Sequence, residues 1–209
     1  MCAIHFFAKV NILIMKLSAE QMLNKYSKIT SHPTEVRRLA MMVFDEVSEK
    51  VLEMSNKDRK YLEAASLLHD IGYYIDSKGH NKHSMRMVIE NGLEGFNEHD
   101  AKIIGCICRY HRGGLPDKEE HEFYNTLEKK DRKKVKRLAG ILKICDGLDR
   151  GHLNLVKKIK INFDEDNNIV EFILTPNTPE FRPDISSAIR KRDLFEIGFK
   201  CQSIIKFNE

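Results

Sequence analysis

The chain is 209 residues long, 42% apolar and 32% charged, with 11 Gly and 5 Pro, a globular composition that excludes fibrous, disordered and low-complexity readings. Its 35 Lys and Arg against 31 Asp and Glu leave a net charge of +4, too mild for a dedicated nucleic-acid binder. The five cysteines, Cys2, Cys106, Cys108, Cys145 and Cys201, form no CxxC pair and read as reduced thiols of a cytoplasmic protein.

Met1 to Ile14 is apolar but broken by His5, Lys9 and Asn11. It is shorter than the roughly 20 residues of a membrane span, and is read with residues 15–17 as an N-terminal extension, Met15 being a candidate start. Ser18 and Gln21 form a capping-box pair ahead of Met22, Leu23 and Tyr26, which predicts a short helix. A second helix follows Ser31, its apolar face marked by Val36, Leu39, Ala40, Val43, Phe44, Val47 and Val51, with His32 one turn earlier on that face. Ser55 and Asp58 cap a third helix, which ends at His69-Asp70 with Gly72 as its stop. Further helices are expected over His80–Asn91, Asn97–His111 and Thr126–Arg150, the last charged at first and then apolar around Asp146.

The period then changes to two. Ile159, Ile161 and Phe163, a turn at Asp166-Asn167-Asn168, and Val170, Phe172 and Leu174 predict a β-hairpin. A helix over Pro183–Gly198 and a strand over Cys201–Phe207 complete the chain. The expected fold is mainly α, a helical bundle over residues 18–155 followed by a small α+β appendage over 156–209.

Six residues stand out: His32, His69, Asp70, His83, His111 and Asp146 fall on five helices, at helix ends or among apolar neighbours. An ionised Asp in such surroundings costs several kcal/mol unless it is paired or bound to a metal. A metal off the helix end at His69-Asp70, joined by His32 and Asp146, is a four-ligand N/O site with positions open for water and substrate.

These residues carry a resemblance. His32, LLHDIG at 67–72 and the Asp of ICDGLDR at 144–150 match the ordered H…HD…D pattern of the HD-domain phosphohydrolases. More closely, HPTEV at 32–36, LLHDIGYYI at 67–75, HNKHS at 80–84, GLEGF at 92–96, RYHR at 109–112, ILKICDGLDRGH at 141–152 and KRDLFEIGF at 191–199 resemble the C-terminal HD domain of the exopolyphosphatase/guanosine pentaphosphatase family. The resemblance implies a helical HD fold, a metal bound by His32, His69, Asp70 and Asp146, and Asp70 as the catalytic carboxylate. By likeness to binuclear HD enzymes, it implies a second metal through His83 and His111, bridged by Asp70. The family's actin-like domains have no counterpart in these residues, so the polyphosphate and pentaphosphate chemistry placed there is not carried over. Tyr73 stands where HD-GYP enzymes commonly have Lys, and no GYP triplet is present, so cyclic dinucleotide hydrolysis is not implied.

The expected function is therefore metal-dependent hydrolysis of a phosphate ester or phosphoanhydride, in a nucleotide or polyphosphate-like substrate, by metal-activated water. One or two divalent ions (Mn, Fe, Co, Ni, Zn or Mg) are the expected cofactor. Lys82, Arg109, Arg112 and Arg150 lie beside the proposed ligands and are the expected phosphate contacts. His80 is read as a helix-start or supporting residue, His152 as surface or packing, and Asp149 as a local cap. The segment Glu128–Arg137, EKKDRKKVKR, is read as a solvated face, having no interleaved aromatics to stack on bases. The expected partners are a small phosphorylated substrate and a second copy of the chain through a free hairpin edge, with neither membrane nor nucleic acid. The rival reading is a non-catalytic nucleotide- or polyphosphate-binding module that serves a separate actin-like phosphatase.

Overall fold

The computed structural model of the protein describes residues 16–208. Residues 1–15 of the extension, with Cys2, His5 and the candidate start at Met15, lie outside the described residues. The elements run α1 (Ala19–Tyr26), α2 (Ser31–Lys50), α3 (Asn56–Leu68), α4 (His80–Asn91), α5 (Glu98–Tyr110), α6 (Glu122–Asn125), α7 (Lys129–Leu148), β1 (Val156–Asp164), β2 (Ile169–Pro176), α8 (Ser186–Arg190), α9 (Asp193–Phe199) and β3 (Gln202–Phe207). The fold is mainly α with a small α+β appendage, as the residue periods predict. Among the described residues, no helix is long and apolar enough to cross a membrane.

Capping chemistry fixes where three helices begin. The Ser18/Gln21 and Ser55/Asp58 boxes both close, and Asn97 with Asp100 makes a third at the start of α5. Helices α3, α5 and α7 pack on one another and point the same way. At their N-terminal ends Lys57 Nζ lies 2.9 Å from Asp100 and Lys134 Nζ 2.9 Å from Asp58. At their C-terminal ends the His69 and His111 rings meet edge to face at 4.8 Å. All three helices therefore direct their C-termini at one place.

The sheet has the order β1-β2-β3, with β1 antiparallel to β2 and β3 parallel to it. Ile161 and Phe172 stand opposite each other across the hairpin, and both are buried in a core continuous with that of the bundle. The hairpin edge expected to be free is engaged by α2. Ile161 N donates to Glu46 at 2.9 Å, Lys50 Nζ donates to Ile161 O at 3.0 Å, and Arg38 donates to the Val156 and Lys157 carbonyls. These contacts occupy the outward groups of Val156, Lys157 and Ile161 on that edge.

Where one helix is predicted over Pro183–Gly198, the structure has two. The helix restarts at Asp193, whose carboxylate accepts from Leu194 N at 2.7 Å and pairs with Lys143 Nζ at 2.7 Å. Both pieces run antiparallel along α7 with backbones nearly touching. A Cβ on Gly147 would stand 2.7 Å from Ala188 Cα, and one on Gly140 would stand 2.6 Å from Phe195 Cα. This glycine seam clamps the turn between α8 and α9, and with it Lys191, against the C-terminal half of α7.

Candidate metal centre

Helix α3 ends at Leu68, His69 caps it, and Asp70 leaves the helix with φ −108° and ψ 2° to enter a 3₁₀ turn over Ile71–Tyr74. Gly72 lies within this turn and is not a left-handed stop. Its role is close approach: a Cβ there would stand 1.9 Å from the His80 carbonyl oxygen, while Gly72 N donates to Ser84 Oγ at 2.8 Å. The start of α4 is thereby pressed against Asp70.

Four imidazoles surround that carboxylate. His69 Nδ1 lies 2.7 Å from Ser66 O, His80 Nδ1 3.1 Å from Ser77 O, and His111 Nδ1 2.7 Å from Cys108 O. A carbonyl can only accept, so each Nδ1 carries the proton and donates, which leaves an Nε2 lone pair facing inward. His32 is set from the other side: its Nδ1 is 2.7 Å from Asp149 Oδ2, and its Nε2 is 3.3 Å from Asp146 Oδ1. Asp70 divides its two oxygens between two pairs. Oδ2 lies 3.5 Å from His69 Nε2 and 3.9 Å from His32 Nε2, while Oδ1 lies 3.2 Å from His80 Nε2 and 3.5 Å from His111 Nε2. Two groups result, His32-His69-Asp70 and Asp70-His80-His111, each offering ligand atoms within 4.8 Å of one another.

The donor set fits a divalent cation on three observations. Buried His69 Nε2 has no hydrogen-bond partner, a condition that costs free energy unless something accepts its lone pair. His80 Nε2 and His111 Nε2 lie 3.4 Å apart, two lone pairs facing each other with no proton between them. Finally, α3, α5 and α7 all present their C-termini here, the negative ends of their dipoles.

Charge follows the same logic. Burial alone would lower His32, but the carboxylates of Asp146 and Asp149 overcome it and raise the imidazole to about 9. Burial and then His69 push His111 down to about 3, so it stays neutral. Burial would raise Asp146, yet the hydrogen bond from His32 and the Lys191 ammonium hold its carboxyl well below the usual carboxylate range.

A cleft of about 800 Å³ opens over Asp70, His32, His80, His111 and Asp146. Of the expected phosphate contacts, Arg112 and Arg150 line it. The other two do not: Lys82 is exposed on α4, and Arg109 lays its guanidinium over the Tyr110 ring at 5.6 Å. His83 is also displaced. Ser84 and His80 share the α4 face turned to the 3₁₀ turn, and His83 lies about 60° around the helix from His80, half-buried and outside both ligand groups. His80 holds the position expected of His83.

Three further residues were not expected at the site. Lys191 pairs with Asp146, Asp149 reaches across the fold to His32, and the His152 ring stacks on His32 at 3.9 Å. For Lys191 the available signal was the KRDLF stretch, where three charged residues interrupt an amphipathic pattern and break the helix.

Residues 14–178 match the family described as Ppx/GppA phosphatase, domain III. The chain is also similar to the guanosine-5'-triphosphate,3'-diphosphate pyrophosphatase of Pseudoalteromonas translucida (strain TAC 125), at 26% identity over 102 residues, 49% of this chain and 20% of that protein. The chain thus spans about a fifth of the length of this curated relative.

Proposed function

The chain belongs to the Ppx/GppA phosphatase domain III family, and from that premise we propose that it is an HD-type, metal-dependent phosphohydrolase acting on a phosphate ester or phosphoanhydride. The observation that carries this reading is Asp70, whose two oxygens face the Nε2 atoms of two histidine pairs. His32, His69, Asp70 and Asp146 would hold one ion, and Asp70, His80 and His111 a second. Imidazole with carboxylate favours Mn, Fe, Co, Ni or Zn over Mg. A divalent cation bound there supplies a water of lowered pKa and polarises a phosphoryl oxygen.

The chain's own groups do the rest. Arg112 and Arg150 present fork-shaped donors to the phosphate oxygens, and Lys191 adds a point charge beside Asp146. Asp149 keeps the His32 ring oriented through its 2.7 Å contact with Nδ1. The Ser66, Ser77 and Cys108 carbonyls fix the tautomers of the other three histidines. Asp70 is the carboxylate common to both halves of the site.

The test is phosphate release from p-nitrophenyl phosphate and nucleoside phosphates with added Mn²⁺, Co²⁺ or Ni²⁺. The expected result is metal-dependent turnover abolished in Asp70→Asn. No turnover with any metal would overturn the hydrolase and favour the binding module, a reading helped by the small share of its relative that this chain spans.

A further inference from the structure

The mouth of the cleft carries a feature that phosphate chemistry leaves unexplained. Tyr26 at the end of α1, Ile29 in the loop after it, and Tyr73 and Tyr74 in the 3₁₀ turn line the same cleft as Arg112, Arg150 and Lys191. Tyr74 is 65% exposed and Ile29 is 63% exposed. Tyr26 and Tyr74 meet edge to face at 5.1 Å, and Tyr73 stacks on His80 at 4.1 Å with the rings 13° from parallel. Large apolar side chains gathered at the mouth of a charged cleft mark a surface for a ligand with an apolar face. Tyr73 and Tyr74 lie three and four residues after Asp70, so the turn that places the proposed catalytic carboxylate also places the aromatic wall.

We propose that this rim is a nucleobase-stacking subsite, and that the substrate is a nucleoside phosphate whose base lies on Tyr74 and against Ile29 while its phosphate meets Arg112, Arg150 and Lys191. This rests on the phosphohydrolase reading and deepens it. An inorganic polyphosphate has charge at every unit and no apolar face, so Tyr74 and Ile29 would have nothing to cover them. A base has a π face that an aromatic side chain can stack on, and a ribose keeps that face a fixed distance from the phosphate.

The experiment compares adenosine 5'-monophosphate with ribose 5-phosphate, which carries the same ester without a base, on the metal-loaded protein. Hydrolysis and calorimetric binding are both measured. The wild-type chain is expected to have a kcat/KM for the nucleotide at least about 10-fold above that for ribose 5-phosphate, and to bind it correspondingly tighter. Tyr74→Ala and Ile29→Ala, both at exposed positions that do not support the core, are expected to remove most of that preference and to leave ribose 5-phosphate kinetics unchanged. Tyr74→Phe, which keeps the ring, is expected to restore it. Equal handling of the two esters by the wild-type chain, or a preference that survives Tyr74→Ala, would overturn the subsite and leave the hydrolase standing. Tighter binding of the nucleotide without turnover of either ester would overturn the hydrolase and leave the subsite standing.

Discussion

Helices α3, α5 and α7 bury carboxylates at both ends, and the two ends treat them differently. At the N-terminal end Asp58 and Asp100 close capping boxes, Lys134 and Lys57 lie 2.9 Å from them, Tyr61 Oη donates to Asp100, and His99 Nε2 is 3.0 Å from Asp131. Those partners are cations and donors supplied by the chain, and the positive helix ends favour the acids. Eleven residues further along both α3 and α5, about 16 Å down each axis, stand His69 and His111. There Asp70 faces four imidazole Nε2 atoms, at distances from 3.2 to 3.9 Å. One end sets its acids beside the chain's own cations and donors, with buried Asp58 Oδ1 held by the Lys134 ion pair and no hydrogen bond; the other gathers imidazole nitrogens around an acid at three negative helix ends. The chain sets lysines beside its acids at one end, while at the other it supplies Lys191 for Asp146 and imidazoles for Asp70, the arrangement on which the proposed cation site rests.

Substitutions that touch one end at a time test this contrast. The largest effect is expected from Asp70→Ala, which removes the acid common to both histidine groups: metal is lost and turnover abolished, as measured by metal content and phosphate release. Asp149→Ala is next. With Nδ1 of His32 unanchored, metal affinity is expected to fall about 10–100-fold in a titration, with folding retained. The pH dependence of binding sharpens the same point. His32 is raised to about 9 in the metal-free protein and must be neutral to ligate, so affinity is expected to rise with pH, about tenfold per unit for one displaced proton, and to level off above pH 9. The linked stability has the opposite sign: in the metal-free protein the His32 contribution is fully present below pH 6.5 and is lost as pH rises through 9. The smallest effect is expected at the other end. Lys57→Ala leaves the cap and the Tyr61 bond on Asp100 in place and removes only the ion pair from the half-exposed Lys57, so denaturant titration is expected to register no more than about 1 kcal/mol, with metal affinity unchanged. A change in metal affinity there would break the separation of the two ends.

Much of this was legible in the sequence where a local rule applied. The capping boxes, the apolar faces and the period-two strands are each set by residues a few positions apart, so α1–α5, α7 and the hairpin follow from them. His32, His69, Asp70, His111 and Asp146 were legible because acids and histidines interrupt apolar faces or end helices. The rest depended on distances the local pattern does not hold. Choosing His80 over His83 required knowing which α4 face Gly72 would press against the 3₁₀ turn. Asp149 meets His32 across 117 positions, and Lys191 meets Asp146 only because the glycine seam on α7 clamps a helix break that periodicity alone reads as continuous. Arg109 does not line the cleft, and its guanidinium lies over the neighbouring Tyr110 ring.

The most direct measurement is the metal content per chain of protein purified without chelator, set beside a His69→Ala/Asp70→Ala variant prepared in the same way. About one or two equivalents of a transition metal are expected in the parent protein and none in the variant. No metal in the parent, even after incubation with Mn²⁺ or Ni²⁺, would contradict the proposed cation site and leave the four histidines as a hydrogen-bonded end of the bundle.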